Sequence, residues 1–271
     1  MKVITCIVAR TTSTRLPLKV LRSVSPDHTK SMLDIIIDKA KLSKLADKVF
    51  ICTSSESCDD ILEDVALKHQ ISIYRGAGDA VIERLVNVAD SEKADYIVRI
   101  TGDNIFVAGE FLDEQIKLSI EQDLDYCRLA GVPIGATAEV IKVSALKQLY
   151  NEMDISVSEY LMLYIFDPTR FKCGVIQSID DFSQYGITVD THEDLENVKR
   201  IIAILGTKAD ELSLENIFSL YIKKSEFFKK IPHEARIKLP YGKSTSFEVF
   251  LSEQKNRIKS SQCVKFIKIS Q

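Results

Sequence analysis

Short β-rich apolar runs alternate with longer amphipathic stretches through the first half of the chain. The runs "VITCIV" at 3–8, "KVFICTS" at 48–54, "ISIYRG" at 71–76, "DYIVRITGD" at 95–103 and "DYCRLA" at 125–130 have the length and composition of strands. Between them, "SMLDIIIDKAKLSKL" at 31–45, "CDDILEDVALKHQ" at 58–70, "DAVIERLVNVAD" at 79–90 and "GEFLDEQIKLSIEQ" at 109–122 have helical length. In the second of these Ile61, Leu62, Val65 and Ala66 share one face behind an acidic start. Strand and helix in regular succession predict a mainly parallel α/β sheet covered on both faces by right-handed crossovers. Ligands of such sheets bind beyond the carboxyl ends of the strands. The informative segments are therefore Ala9–Lys19, Thr53–Ser55, Arg75–Asp79 and Thr101–Asn104.

The second half is less regular. "AEVIKVSALKQLY" at 138–150 reads as strand then helix, "SEYLMLYIF" at 158–166 as a helix ended by Asp167-Pro168, and "CGVIQSI" at 173–179 as a strand. "YGITVDTHEDLENVKRIIAILG" at 185–206 reads as a strand running into a helix, with Thr191 and Asp194 at capping-box spacing and Gly206 at the end. The alternation stops there, which predicts a domain over 1–206 and a C-terminal extension over 207–271. In the extension "LSLENIFSLYIKKSEFFKKI" at 212–231 looks helical. The basic tail around "KNRIKSSQ" at 255–262 lacks aromatic interleaving and reads as a solvated appendage.

Composition narrows the class without naming a chemistry. With 271 residues, 45% hydrophobic and 28% charged, the chain can bury a sizeable core. A net charge of −3 gives no global attraction to nucleic acid or an anionic membrane, so any anion site has to be built locally. The six cysteines show no C-x-x-C spacing and several lie inside strand-like runs, as buried free thiols do. No charged-then-apolar leader and no apolar run of roughly 20 residues is visible, and a cytoplasmic location is expected.

The segment "ARTTSTRLPLKVL" at 9–21 is where such an anion site would be built. It leaves the first strand through Thr11, Thr12, Ser13 and Thr14 and carries Arg10, Arg15 and Lys19, with Arg22 just beyond. Hydroxyl donors and spaced cations suit a polyphosphate. The classical P-loop ending in G-K-[ST] is absent. Asp103, at the end of the fourth strand, and Asp190, ahead of the helix after 191, are the two carboxylates that a magnesium ion bridging substrate phosphates would need. Asp190 read alone is equally a helix-dipole or capping residue.

Taken together, "ARTTSTRLPLKVL", "SML", "VFICTS", "YRGAGDAVIERL", "VRITGDN", "EVIKVSAL" and "TVDTHEDL" resemble, in order and spacing, the motifs of CMP-3-deoxy-manno-octulosonate synthetases and the related spore-coat polysaccharide protein F cytidylyltransferases. The first of them is similar to that family's A-R-x-x-S-T-R-L-P-G-K signature, and the resemblance extends over 1–206. It implies a glycosyltransferase-A-like, Rossmann-related fold. It implies transfer of CMP from CTP to a 2-keto-3-deoxy acid sugar or a sugar phosphate, with release of pyrophosphate, for surface polysaccharide synthesis.

By motif position Lys19, Arg15 and Arg10 would act on the triphosphate. Ala9, Ser13, Arg75, Gly76, Asp79, Arg84 and Thr101 would complete the nucleotide site, and Asp103 and Asp190 would hold Mg2+. Asn104, Glu139, Glu159, Tyr160 and Tyr185 are the acceptor candidates, and a homodimer is implied.

Departures from the family pattern cluster on the acceptor side. Ile105, Ala108, Thr137, Ser158 and His192 replace residues typical of the relatives, and Arg128, Arg170 or Lys172 would substitute as a clamp for an acidic sugar. Leu18 stands where the phosphate loop carries glycine, which costs roughly 1–2 kcal/mol if the site needs positive φ. Two other readings stay open on these residues. One is a non-catalytic nucleotide-binding homologue. The other is a glycosyltransferase of the same broad fold, for which "DLD" at 123–125 is the weak D-x-D signal.

Overall fold

A computed structural model describes residues 1–224 and 227–269. In chain order the elements are β1 (Val3–Val8), α1 (Met32–Ala40), β2 (Lys48–Ser54), α2 (Ile61–His69), β3 (Ser72–Gly76), α3 (Val81–Glu92), β4 (Tyr96–Thr101), α4 (Leu112–Glu121) and β5 (Tyr126–Ala130). They continue as β6 (Glu139–Lys142), α5 (Val143–Glu152), α6 (Leu161–Ile165), β7 (Cys173–Ser178), β8 (Tyr185–Gly186), α7 (His192–Leu205) and α8 (Leu214–Lys223). The last are β9 (Lys229–Lys230), β10 (Arg236–Lys238), β11 (Ser244–Ser246), α9 (Phe247–Lys259) and β12 (Cys263–Ile267).

Eight strands form one sheet in the order β12-β7-β5-β6-β4-β1-β2-β3. Every neighbouring pair is parallel except those made by β6, which runs antiparallel to β4 and β5. The expected mainly parallel α/β architecture is therefore present. β1 reads as a continuous apolar run because both its faces are covered, with Val3 and Ile7 in one core layer and Ile4 and Cys6 in the other. The first layer holds α1, α4 and α7, and the second holds α3, α5 and α6. No helix among the described residues is long and apolar enough to cross a membrane.

The stretch after 206 is more than a helical extension. β12 pairs in parallel with β7 from Cys263↔Gly174 to Ile267↔Ser178 and closes one edge of the main sheet. The basic tail read as a solvated appendage is thus the end of α9 and the lead into a sheet strand. Its Arg257 donates to the carbonyls of Leu163 (2.8 Å) and Phe166 (2.6 Å), closing the open end of α6. Exposure of Lys265 and Phe266 on this edge strand hides it from a search for apolar runs. The helix expected over 212–231 is shorter, since α8 ends at Lys223 and β9 follows at Lys229; the helical reading of 225 and 226 lies outside the described residues. The strand expected before α7 is likewise only the two-residue β8.

Candidate active site

The loop after β1 is anchored by a residue that the sequence reading did not single out. Asp59, fully buried, accepts from the Thr11 amide (2.7 Å) and hydroxyl (2.6 Å) on one oxygen. Its other oxygen accepts from the hydroxyls of Thr53 (2.9 Å) and Ser54 (2.5 Å). Burial opposes ionisation of this carboxyl, but the bonds from Ser54, Thr11 and Thr53 outweigh it and hold its pKa below the ordinary value. Thr11, expected among the phosphate donors, spends its hydroxyl and its amide here. The signal was the "TSS" at 53–55, where two hydroxyl residues end the buried strand β2 and need a partner.

Above that anchor the loop folds on itself. The Leu18 amide donates to the Thr11 carbonyl (3.1 Å), the Leu16 amide to Ser13 Oγ (3.3 Å), and a single 3-10 turn follows at Lys19–Leu21. Leu18 has φ 57° and ψ 27°, the left-handed region, so the conformation that the family glycine would accept freely is kept here by a leucine. Gly102 lets the loop approach β4: a Cβ there would lie 3.1 Å from Ala9 Cβ and 3.2 Å from the Val8 carbonyl oxygen.

This packing brings three distant segments together. Lys19 Nζ lies 3.2 Å from Asp190 Oδ1 and 3.6 Å from Asp103 Oδ2, and Arg15 lies 3.0 Å from the same Asp190 oxygen. The Val189 amide donates to the Asp103 carbonyl (3.1 Å), which sets Asp190 beside the turn after β4. Thr101 Oγ1 donates to Asp103 Oδ1 (2.6 Å), fixing that carboxylate. The capping role considered for Asp190 belongs to its neighbours: Thr191 is the N-cap of α7 and closes the box with Asp194. The Asp190 carboxylate faces the cations instead. Arg10, half-exposed on the same loop, stands 4.0 Å from the Glu159 carboxylate.

The candidates after β3 lie differently. Arg84 is buried and donates to the carbonyls of Cys52 (3.2 Å) and Gly78 (3.3 Å), while its Nε has no partner. Burial pushes its pKa down. A Cβ on Gly76 would lie 3.0 Å from Arg84 Cγ, so the glycine makes room for that side chain. Asp79 contributes its carbonyl to the Ser158 hydroxyl (3.3 Å). Arg75 is turned away onto Asp60 (2.5 Å), Glu63 (2.6 Å) and the carbonyls of Ser54 and Glu56, where it braces the turn into α2.

Beside Asp103 opens a cavity of about 290 Å³ whose wall includes Thr101, Asp103, Asn104, Arg128 and Glu139. Glu139 is buried and already engaged by Arg99 and by the Tyr126 hydroxyl (2.7 Å), so it organises the cavity floor. Arg128 donates through Nε to the Leu129 carbonyl (3.0 Å) and lies over the Phe166 ring at 5.6 Å. Arg170 pairs with Glu152, and Lys172 Nζ donates to the Gln122 carbonyl (2.6 Å); neither lines this cavity. Glu159 and Tyr160 are also outside its wall. Tyr185 is held in an aromatic cluster, its hydroxyl on that of Tyr221 and its ring against Phe182 and Tyr221.

Comparison with known proteins places the chain in a family. A family model described as Cytidylyltransferase matches residues 4–228. The chain is 34% identical over 220 residues to the spore coat polysaccharide biosynthesis protein SpsF of Bacillus subtilis, covering 78% of this chain and 90% of the relative. Among solved structures, a cytidylyltransferase from Leptospira borgpetersenii aligns at TM-score 0.77 and 27% identity, over 86% of this chain and all of that one. A CMP:2-keto-3-deoxy-manno-octonic acid synthetase complexed with CTP shares the fold, at TM-score 0.59 and 16% identity over 75% and 99% of the two chains. The chain belongs to the cytidylyltransferase family.

Proposed function

We propose that this protein transfers CMP from CTP to an acidic sugar or sugar phosphate and releases pyrophosphate. The observation that carries the reading is Lys19 set between Asp103 and Asp190, with Arg15 alongside, at the carboxyl edge of the sheet. Two carboxylates and an ammonium converge here from positions far apart in sequence, with Lys19 only 13% exposed and Asp103 and Asp190 34% and 33% exposed. They make a good cradle for a metal-chelated triphosphate.

The donor set fits magnesium. Asp103 and Asp190 offer hard carboxylate oxygens, and such an ion takes one or two of these and keeps its waters. Bound there, it would neutralise charge on the phosphate oxygens and orient them. The protein's own groups do the rest. Lys19, Arg15 and Arg10 balance the negative charge that spreads over the α-phosphate and the departing pyrophosphate. An acceptor oxygen attacks the α-phosphorus in line. The new O–P bond forms as the bond to the bridging oxygen breaks, pyrophosphate leaves with that electron pair, and a hydroxyl acceptor gives up its proton to solvent water. No side chain becomes covalently modified. Arg84 and the carbonyls around it form the floor below the loop, in the segment read as the base site. In the adjoining cavity Arg128 is the cation that would meet an acceptor carboxylate.

Pyrophosphate release from CTP over a panel of 2-keto acid sugars and sugar phosphates tests the proposal. Release should require magnesium and fall 10²–10³-fold in Asp103→Asn, about 3–4 kcal/mol of transition-state stabilisation. Tight CTP binding without release across the panel would defeat it. A larger thermal shift with UTP or ATP than with CTP would remove the choice of base.

A further inference from the structure

The cavity beside Asp103 is not closed by the matched part of the chain alone. Phe250, Leu251, Gln254 and Ile258 of α9 also line it, and they lie at helical spacing on one face. This helix falls beyond residue 228, where the match to the family model ends. It is fastened there by Arg257 on the carbonyls of Leu163 and Phe166 and by β12 on β7.

Gln254 is the unusual member of that face. It is only 9% exposed, and neither its amide oxygen nor its amide nitrogen has a hydrogen-bond partner. A buried carboxamide with donor and acceptor both empty is costly in the free protein. The other α9 residues on the cavity face, Phe250, Leu251 and Ile258, are apolar, as are Val132, Ile134 and Met162 elsewhere in the wall. An apolar side chain would have filled the position without that cost.

We propose that α9 forms the acceptor wall of the site and that Gln254 is a specificity-determining residue. Its amide takes one donor and one acceptor from a pair of hydroxyls on a polyhydroxylated 2-keto acid, whose C–H face lies on the apolar lining. The inference rests on the cytidylyltransferase reading above and adds to it the group that selects the sugar. A carboxamide suits this task because adjacent hydroxyls supply both the donor and the acceptor that it lacks. A site built to bond hydroxyls also rejects analogues without them, because its own buried polar atoms are then left unpaired.

The test compares full-length wild type with Gln254→Leu. Without ligand, the leucine variant should melt at a higher temperature, because the unpaired amide is gone. CTP with magnesium should shift both proteins equally. With CTP present and 3-deoxy-manno-octulosonate as the probe, the variant should show a KM at least 10-fold higher and a kcat within about 3-fold of wild type. An unchanged KM overturns the role of Gln254, and so does a lower melting temperature of the ligand-free variant. A wild type that CTP stabilises but that releases no pyrophosphate with the probe overturns the hydroxyl-pair assignment. Absence of any CTP shift in wild type is a separate result and defeats the nucleotidyl reading itself.

Discussion

Leu18 holds φ 57° at a position 50% exposed to solvent, so its side chain gives little packing in return for the strain. A left-handed L-residue costs roughly 1–2 kcal/mol, against which glycine loses about 0.5–1 kcal/mol of extra chain entropy on folding. Leu18→Gly should therefore raise stability by up to about 1 kcal/mol in urea unfolding, while Leu18→Ala should not. Asp59 is the opposite case, a residue whose loss removes the support of the loop. In Asp59→Asn one amide nitrogen faces hydroxyl and amide donors, and the loss should be about 3 kcal/mol with weaker CTP binding. Its folded pKa lies below the unfolded value of about 3.9, so its contribution is complete above that pH and drains away as pH falls toward the folded value. Wild type should lose more stability than Asp59→Asn as the pH is lowered through 4. The cations that converge on Asp103 and Asp190 were legible in the sequence because cations and hydroxyls concentrate in "ARTTSTRLPLKVL". Asp59 was not, because its significance lies in what it touches 48 residues away.

At the scale of elements, the first four strands and helices were readable since apolar runs of strand length alternate with stretches of helical length, and β1, β2 and β4 are largely buried. β12 was not, and its sequence "CVKFI" shows why. It occupies the edge of the sheet, where none of its residues is fully buried, the adjacent Lys265 and Phe266 are both exposed, and local pattern gives no sign of a partner. The fastening of α9 should be measurable by itself. Arg257 makes two charge-assisted bonds to main-chain carbonyls of 163 and 166, and Arg257→Ala should cost about 2 kcal/mol. Faster amide hydrogen exchange in α9 and β12, with exchange in β1 and β4 unchanged, is the expected signature. Acceptor-side residues such as Glu139 and Tyr185 were named from motif position, and the partners that hold them were not legible in the sequence. A buried arginine holds the first and an aromatic cluster the second.

For the whole molecule, the segment after 206 is tied to α1 by a lysine in the core. Lys39, fully buried on α1, donates to the Leu212 carbonyl (2.6 Å), and burial pulls its pKa down to about 8 despite the nearby Glu110. The unfolded chain binds this proton up to about pH 10.4, so between pH 8 and 10.4 the unfolded state carries more protons and this group favours folding more as pH rises. The stability difference between Lys39→Met and wild type should change across that window, by a few kcal/mol at most, and stay constant below about pH 7. The order of assembly follows from where α9 sits. A nascent chain completes the loop after β1, Asp103 and Asp190 well before Gln254 leaves the ribosome, and early folding proceeds from the amino end. On the proposed function, a protein caught partway through synthesis would have its triphosphate groups in place while the adjoining cavity still lacked the wall that α9 supplies, so selectivity would arrive after the means to bind nucleotide.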